Sequence, residues 1–215
     1  AIKGANGTVA ILDGRPGRLI SGAYREFLAG KGVIVQPPSV ARSSMKVLRS
    51  LFKEDPGPLA IDVDQVKTVV SFSASVLENF GQPGLLQQSP NKIRTIQFEA
   101  IQSRTALKAD QWVPITPGTE REIALGLANL LLKKGYAADW DEESRTALEK
   151  ICAEWTPSKV FAASGVDEAT LSSVANTMEI GSTVVVGGPD AVGGPLGIEA
   201  EASIQTLNLL LGSVG

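Results

Sequence analysis

The stretch Ile93–Leu132 reads IRTIQFEAIQSRTALKADQWVPITPGTEREIALGLANLLL and contains three structural signals in close succession. Its first run, Ile93–Phe98, is rich in β-branched and aromatic residues and predicts a strand. Trp112–Ile115 predicts a shorter strand that ends among prolines. The apolar spacing that follows Thr119 predicts a helix over Glu120–Lys134. Strands that alternate with helices in this way are typical of an α/β domain with a parallel sheet.

The same alternation continues on both sides of this stretch. Further strands are predicted at Thr8–Leu12, Gly32–Gln36, Thr68–Ser73 and Thr183–Val186. Further helices are predicted from Leu19 to Leu28, from an N-cap at Ser39 to about Lys53, and over Glu142–Glu154, Asp167–Met178 and Ile198–Leu211. Gly81, Pro83 and Gly84 predict a loop near the end of the connection that leads to Ile93–Phe98. No clear linker divides the chain, so we expect one domain over residues 1–215.

Composition excludes several kinds of site. The chain has no histidine and one cysteine, Cys152, which excludes an internal disulfide, an iron–sulfur centre, the usual zinc sites and Ser–His or Cys–His pairs. The surroundings of Cys152 predict a buried thiol. A net charge of −3 argues against non-specific nucleic-acid binding. No apolar run reaches the length of about 18 residues that a membrane span needs.

Ligands of open α/β sheets bind beyond the carboxyl ends of the strands. The segments that follow the predicted strands are Asp13–Gly17, Ser73–Glu78, Glu99–Thr105, Thr116–Glu120 and Gly187–Gly197. The last of these is rich in glycine, but it matches neither the dinucleotide fingerprint nor the P-loop. It is therefore open to two interpretations, a phosphate contact or a simple turn.

The polar side chains of these segments are also open to two interpretations. Glu99, at the end of a strand, is suited to a ribose or the edge of a guanine, or is a solvated loop carboxylate. The hydroxyls of Ser103, Thr105 and Thr119 are suited to phosphate, or they cap helices. Thr119 with Glu122 three residues later has the spacing of a capping box. No carboxylates are paired at a spacing that indicates acid–base catalysis.

The segment Ser103–Leu132 resembles a conserved segment of the molybdopterin oxidoreductases, the dimethyl sulfoxide reductase superfamily. The family pattern is [DE]-x-x-x-S-x-T-A-x-x-A-D-x-W-[IV]-P-I-x-P-G-T-[DE]-x-x-[AI]-A-L. The matching residues are Glu99, Ser103, Thr105, Ala106, Ala109, Asp110, Trp112, Pro114, Ile115, Pro117, Gly118, Thr119, Glu120, Ala124 and Leu125. Val69–Pro83, Trp155–Val166 and Ile198–Gly215 resemble other family segments in the same order, so the resemblance covers nearly the whole chain.

The resemblance implies a three-layer, Rossmann-like fold with a doubly wound, mainly parallel sheet, the third domain of the catalytic subunit. In the family this domain binds one half of bis-molybdopterin guanine dinucleotide. By resemblance, Glu99 would contact the guanosine. The other residues of the implied nucleotide groove are Ser103, Thr105, Gly118, Thr119, Ser73 and Ser75.

Three departures from the family pattern bear on the cofactor. The usual Asp-Pro-Arg is Glu99-Ala100-Ile101 here, which lacks the proline and the arginine. The usual Gly-Ala-Asn is Ser73-Ala74-Ser75. The region directly after residues 32–34, where family members carry a ligand of the metal, contains no cysteine, and Ser43 or Ser44 would offer an oxygen there instead.

These departures resemble the cofactor-less branch of the family found in menaquinone reductase and alternative complex III. The resemblance then implies a scaffold domain of a longer subunit, with bis-molybdopterin guanine dinucleotide absent. It also implies contacts with other domains of that subunit and with iron–sulfur and cytochrome subunits, on the periplasmic or other extracytoplasmic side of a membrane. Two alternatives stay open: a working molybdenum or tungsten enzyme of the polysulfide- or thiosulfate-reductase kind, and an unrelated nucleotide-binding α/β domain.

Overall fold

A computed structural model describes residues 7–14, 19–36, 40–52, 60–78, 83–88, 92–188 and 197–213. These residues form two compact units, 1–39 and 40–215, each of which is described by itself. Both units are α/β with parallel strands, which confirms the predicted fold class. The prediction of a single domain over the whole chain stays a prediction.

The first unit is a β-α-β motif. Strands β1 (Val9–Leu12) and β2 (Gly32–Val35) pair in parallel, and helix α1 (Leu19–Leu28) lies between them in the chain. Gly32 is required at the start of β2, because a Cβ there would lie 2.5 Å from both the Val9 carbonyl oxygen and a Leu28 methyl group. The strands and the helix therefore pack too closely at this point for any side chain.

The second unit contains a four-stranded parallel sheet with the order β5-β4-β3-β6. Its strands are β3 (Thr68–Phe72), β4 (Arg94–Glu99), β5 (Gln111–Pro114) and β6 (Thr183–Gly187). The helices of this unit are α2 (Val40–Phe52), α3 (Pro83–Gln88), α4 (Arg104–Lys108), α5 (Glu120–Lys133), α6 (Glu142–Ala153), α7 (Pro157–Ser164), α8 (Glu168–Thr177) and α9 (Ile198–Leu210).

The sheet of the second unit is buried on both faces, as parallel sheets usually are. On one face Phe72 and Phe98 stack with ring centroids 5.0 Å apart, in a core shared with the apolar side chains of α5 and α9. On the other face Val69 and Val186 form a smaller core against which Leu86 of α3 packs. Along the chain, β3, β4 and β5 are added one after another in one direction across the sheet, and β6 then pairs on the other side of β3. Because crossovers between parallel strands are right-handed, this reversal places helices on both faces of the sheet. This arrangement is the doubly wound, three-layer architecture expected by resemblance.

The outer edge of β6 is occupied by a side chain of α9. The Asn208 amide accepts a hydrogen bond from the Val185 nitrogen and donates one to the Val185 carbonyl oxygen, both at 2.7 Å. Gln205 accepts a second hydrogen bond from the same amide nitrogen at 3.1 Å. A buried amide with these partners satisfies the backbone groups that a neighbouring strand would otherwise pair.

The structure differs from the sequence predictions at four places. The loop predicted around Pro83 and Gly84 is the short helix α3, which a proline is suited to begin. Helices α4 and α7 were not predicted. The capping box predicted at Thr119 is wrong, because the Thr119 hydroxyl donates to the Thr116 carbonyl oxygen at 2.6 Å and makes no cap hydrogen bond. The predicted N-cap Ser39 and most of the glycine-rich loop, residues 189–196, lie outside the described residues.

The one cysteine is buried, as predicted. Cys152 lies on α6 with no exposed surface and belongs to the larger core. Burial raises the pKa of its thiol to about 11. The thiol therefore stays protonated at neutral pH and behaves as a small apolar side chain.

Candidate functional site

The candidate site lies at the carboxyl edge of the four-stranded sheet. Because all four strands are parallel, Phe72, Glu99, Pro114 and Gly187 end at the same edge. The polar segments predicted to form a site follow these strands directly. The fold therefore brings Ser73, Glu99, Ser103 and their neighbours to one edge, as sequence reasoning expected.

Glu99 is the centre of the polar contacts at this edge. Its Oε2 accepts hydrogen bonds from the Ser103 hydroxyl at 2.7 Å and from the Gln97 amide at 3.2 Å. The Trp112 indole N–H donates to the Glu99 carbonyl oxygen at 3.0 Å. The side chain is half-buried and held from two directions, so its carboxylate has a defined position rather than being a freely solvated loop group.

Helix α4 is attached to two carboxylates through the hydroxyls of its first turn. Ser103 is its N-cap and accepts a hydrogen bond from the Ala106 nitrogen at 3.1 Å. Thr105 is buried, and its hydroxyl donates to Oε2 of Glu78 at 3.1 Å. Ser103 therefore caps the helix and bonds Glu99 at once. Capping was the simpler of the two interpretations, and a ligand contact by these hydroxyls stays a prediction.

The segment after β3 turns back over the end of the sheet. Ser73 has a positive φ of 58°, and its nitrogen donates to the Phe98 carbonyl oxygen at 2.9 Å. The Gln97 amide donates to the Ala74 carbonyl oxygen at 3.2 Å. Ser75 contributes its carbonyl oxygen, which accepts from the Glu78 nitrogen at 3.0 Å. This segment is thereby fixed against β4 beside Glu99.

Backbone contact closes the space between β3 and β6 at the same edge. Gly188 donates its N–H to the Phe72 carbonyl oxygen at 2.7 Å. A Cβ on Gly188 would lie 2.2 Å from the Ser73 carbonyl oxygen and 2.3 Å from the Ala74 nitrogen. Only glycine allows this approach, so the start of the glycine-rich loop has a packing role here.

Gly118 and Thr119 follow β5, on the far side of β4 from Ser73. Gly118 has a φ of 83°, which glycine adopts without strain. The hydroxyl of Thr119 bonds the preceding turn. None of the hydrogen bonds among the described residues joins Thr119 to Glu99 or Ser103. These two predicted residues share the edge with Glu99, but the described contacts do not connect them.

Sequence reasoning missed two polar residues of this site, Gln97 and Glu78. Gln97 has no exposed surface, and its Oε1 is buried with no hydrogen-bond partner. A glutamine between Ile96 and Phe98 of a predicted strand was the one available signal, since a buried amide needs partners. Glu78 gave no signal, because its contact with Thr105 depends on the turn taken by residues 73–78.

The described polar groups fit one part of a guanine dinucleotide and not the other. Glu99 and Gln97 Oε1 are acceptors, which match the N–H donors of a guanine base. A pyrophosphate needs N–H donors or cations, and the carboxylates of Glu78 and Glu99 are neither. Ile101 stands where the family has its arginine. The part of the edge formed by Glu78, Gln97 and Glu99 therefore suits a guanine base and not a pyrophosphate.

Other polar or concave features of the described surface lack a comparable set of converging groups. An open groove of about 640 Å³ is lined by Met45, Lys46, Arg49 and Ser50 of α2. A second, of about 540 Å³, lies along α6. Neither is at the carboxyl edge. No group of three or more histidine, cysteine or acidic side chains among the described residues is arranged to hold a metal ion.

Ser44, one of the two oxygen substitutes considered for a metal ligand, has a structural contact. Its hydroxyl is buried and donates to Oε1 of Glu201 on α9 at 2.6 Å. Gln205 donates to the same oxygen at 2.8 Å. This contact joins α2 to α9. The side chain of Ser43 lies outside the described residues.

Comparisons with known proteins agree with this geometry. No protein-family model matches the chain. The chain is 34% identical over 170 residues, 74% of its length, to the molybdopterin-binding-like subunit of menaquinone reductase from Nitratidesulfovibrio vulgaris. The solved structure of acetylene hydratase from Pelobacter acetylenicus matches 95% of the chain with a TM-score of 0.67 and 16% sequence identity, which supports the fold. The chain belongs to the molybdopterin oxidoreductase family.

A second relative of this molybdopterin-oxidoreductase domain is the molybdopterin-containing subunit of the arsenate respiratory reductase from Chrysiogenes arsenatis. It is 25% identical over 189 residues, 71% of the chain. The domain spans 24% and 22% of the lengths of the two relatives, and 29% of the acetylene hydratase chain. The relatives are thus molybdopterin-type subunits of respiratory reductases. Within the described residues, no helix has the length and apolar character needed to cross a bilayer.

Proposed function

We propose that this domain is a structural part of a molybdopterin-binding-like subunit in a respiratory redox complex, in which the nucleotide groove is kept as a fold and does not hold bis-molybdopterin guanine dinucleotide. The observation that carries this proposal is the bonding within the groove. Glu99, Ser103 and Thr105, the residues that resemblance assigns to the nucleotide, bond one another or Glu78 and Gln97. The hydroxyls of Ser103 and Thr105 already donate to carboxylates, so they could donate to the phosphates of a nucleotide only if these bonds broke.

The comparison with menaquinone reductase supports the same proposal. The relative with 34% identity is named molybdopterin-binding-like. The loss of the Asp-Pro-Arg motif agrees with a groove that no longer neutralises a pyrophosphate. In the proposed complex the domain contacts other domains of its own subunit and positions iron–sulfur and cytochrome subunits on the periplasmic or other extracytoplasmic side of the membrane.

Metal and pterin analysis of the purified parent subunit tests the proposal. We expect molybdenum and tungsten far below one atom per subunit, and no fluorescent pterin after acid oxidation. The parent subunit of a family member known to carry the cofactor, purified in parallel, is the control for losses during purification. Stoichiometric metal with pterin would refute the scaffold and favour the working enzyme instead.

A further inference from the structure

Two side-chain oxygens beside α4 have no hydrogen-bond donor among the described residues. Gln97 Oε1 is fully buried without a partner. The amide cannot be turned to relieve this, because its Nε2 already faces two acceptors, the Ala74 carbonyl oxygen and Glu99 Oε2. All described hydrogen bonds to the Glu99 side chain go to Oε2, so Oε1 of this carboxylate has no described donor.

The charge at this edge is also uncompensated among the described residues. Glu78 and Glu99 accept hydrogen bonds from the hydroxyls of Thr105 and Ser103 at the start of α4. Neither carboxylate takes part in a described ion pair. Arg104, the basic residue that follows Ser103 at the start of α4, is exposed and forms no described ion pair with either of them. A ligand that suits this edge must therefore supply N–H donors and positive charge.

We propose that the edge formed by Glu78, Gln97 and Glu99 is a docking site for an arginine side chain of a partner polypeptide. A guanidinium carries five N–H donors in a rigid plane, more than the three of an ammonium, and it forms charge-assisted bonds to carboxylates. It supplies at once the donors that Glu99 Oε1 lacks and the charge that the two carboxylates attract.

The apolar surface around α4 suits the rest of such a partner. Ile101 and Leu107 are 73% and 70% exposed and lie on either side of Ser103 and Thr105 in the chain. The methylene groups of an arginine, and apolar residues beside it, would cover this surface. A guanine nucleotide offers similar N–H donors, but its phosphates would be repelled by the two carboxylates. The inference rests on the proposed function, since it needs a groove free of cofactor.

The Trp112 indole N–H reports on this site, because it bonds the carbonyl oxygen of Glu99. We would titrate the ¹⁵N-labelled chain with a capped Leu-Arg-Ile peptide and assign the indole signal with Trp112→Phe. We expect a saturable shift of that signal and none with the same peptide containing citrulline, the neutral analogue of arginine. Guanosine lacks the positive charge and is expected to shift the signal less than the peptide does. Guanosine monophosphate, whose phosphate the two carboxylates repel, is expected to leave it unchanged.

Variants link the response to the carboxylates. Glu99→Gln is expected to weaken binding by about tenfold or more, as the loss of one charge-assisted bond does. Glu78→Gln changes an exposed side chain and is expected to weaken binding less, so it keeps the test valid if Glu99→Gln fails to fold. Glu143→Gln, which removes the same charge from exposed α6, is expected to change nothing.

An unchanged affinity in both site variants, equal binding of the citrulline peptide, or a stronger response to guanosine would overturn the docking site. The proposed function has a separate readout. A metal-free parent subunit without arginine binding would overturn only this inference, and a cofactor-loaded parent subunit would overturn the scaffold.

Discussion

Replacing Gly188 by alanine tests the account of how the carboxyl edge is closed. The added Cβ would lie 2.2 Å from the Ser73 carbonyl oxygen and 2.3 Å from the Ala74 nitrogen. The nearest ordinary contact is 3.4 Å, so the two backbone segments must separate by 1.2 Å. The atoms that the Cβ would meet belong to the backbone, and both backbone segments are hydrogen-bonded to the sheet. No flexible side chain can therefore move to absorb the change.

The cost has two parts. The separation breaks the 2.7 Å hydrogen bond from Gly188 to the Phe72 carbonyl oxygen and strains the 2.9 Å bond from Ser73 to Phe98. A typical hydrogen bond contributes about 1 kcal/mol, and forced overpacking costs about 1–3 kcal/mol. We therefore expect Gly188→Ala to lower the free energy of unfolding by about 2–4 kcal/mol.

Urea unfolding followed by tryptophan fluorescence measures this change, with the midpoint and the slope fitted separately. Gly84→Ala is the matched control, because Gly84 lies on exposed α3 and a Cβ there would meet no atom within 4 Å. A Gly188→Ala variant within about 0.5 kcal/mol of the parent protein, the range of neutral surface changes, would refute the reasoning.

Three further predictions concern other positions. Ser73→Gly is expected to stabilise the domain by about 0.5–1 kcal/mol, because a φ of 58° strains serine but not glycine. The control is Ser75→Gly, where φ is not positive, and this variant should show no stabilisation in the same urea assay. Cys152 is expected to stay unreactive towards a thiol reagent at pH 7 until the protein unfolds, since burial raises its pKa to about 11, and fast reaction in the native state would contradict this. Hydrogen bonds from the Thr170 backbone lower the pKa of Asp167 below 3.8, so its stabilising effect is present above pH 3.8 and is lost as the pH falls through the lowered value. The difference in thermal stability between the parent and Asp167→Asn should therefore shrink on acidification, and a constant difference would argue against the cap.

Most strands were predictable because their composition is strong and local. Thr68–Phe72 and Thr183–Gly187 are β-branched runs bounded by glycine or polar residues, and the structure confirms them within a residue or two. Helix α7 also had a local signal that the sequence reasoning passed over. Thr156 caps it, Pro157 begins it, and Gly165 ends it with a φ of 78°.

Helix α4 and the site around it could be predicted only in part. α4 is five residues long and has no apolar periodicity to detect; it is held by Ser103, Glu99 and the buried Thr105. The motif resemblance pointed to Glu99 and Ser103, which the structure brings together. Gln97 lies two residues before Glu99 on β4 and bonds it directly. Glu78 joins them only because residues 73–78 turn back over the sheet, and that turn depends on contacts with β4 and β6 that are distant in sequence.

The amide of Asn208 on the outer edge of β6 also determines where this protein can add a strand. An open strand edge is a template for β-augmentation and for aggregation, and natural sheets block such edges with side chains, prolines or a covering helix. Here Asn208 already holds the Val185 N–H and carbonyl groups, so an incoming strand would have to displace α9 first. Any strand exchange of this sheet, between copies or with a partner, is thereby directed to β5, the opposite edge among the described strands, where Pro114 has no N–H to pair.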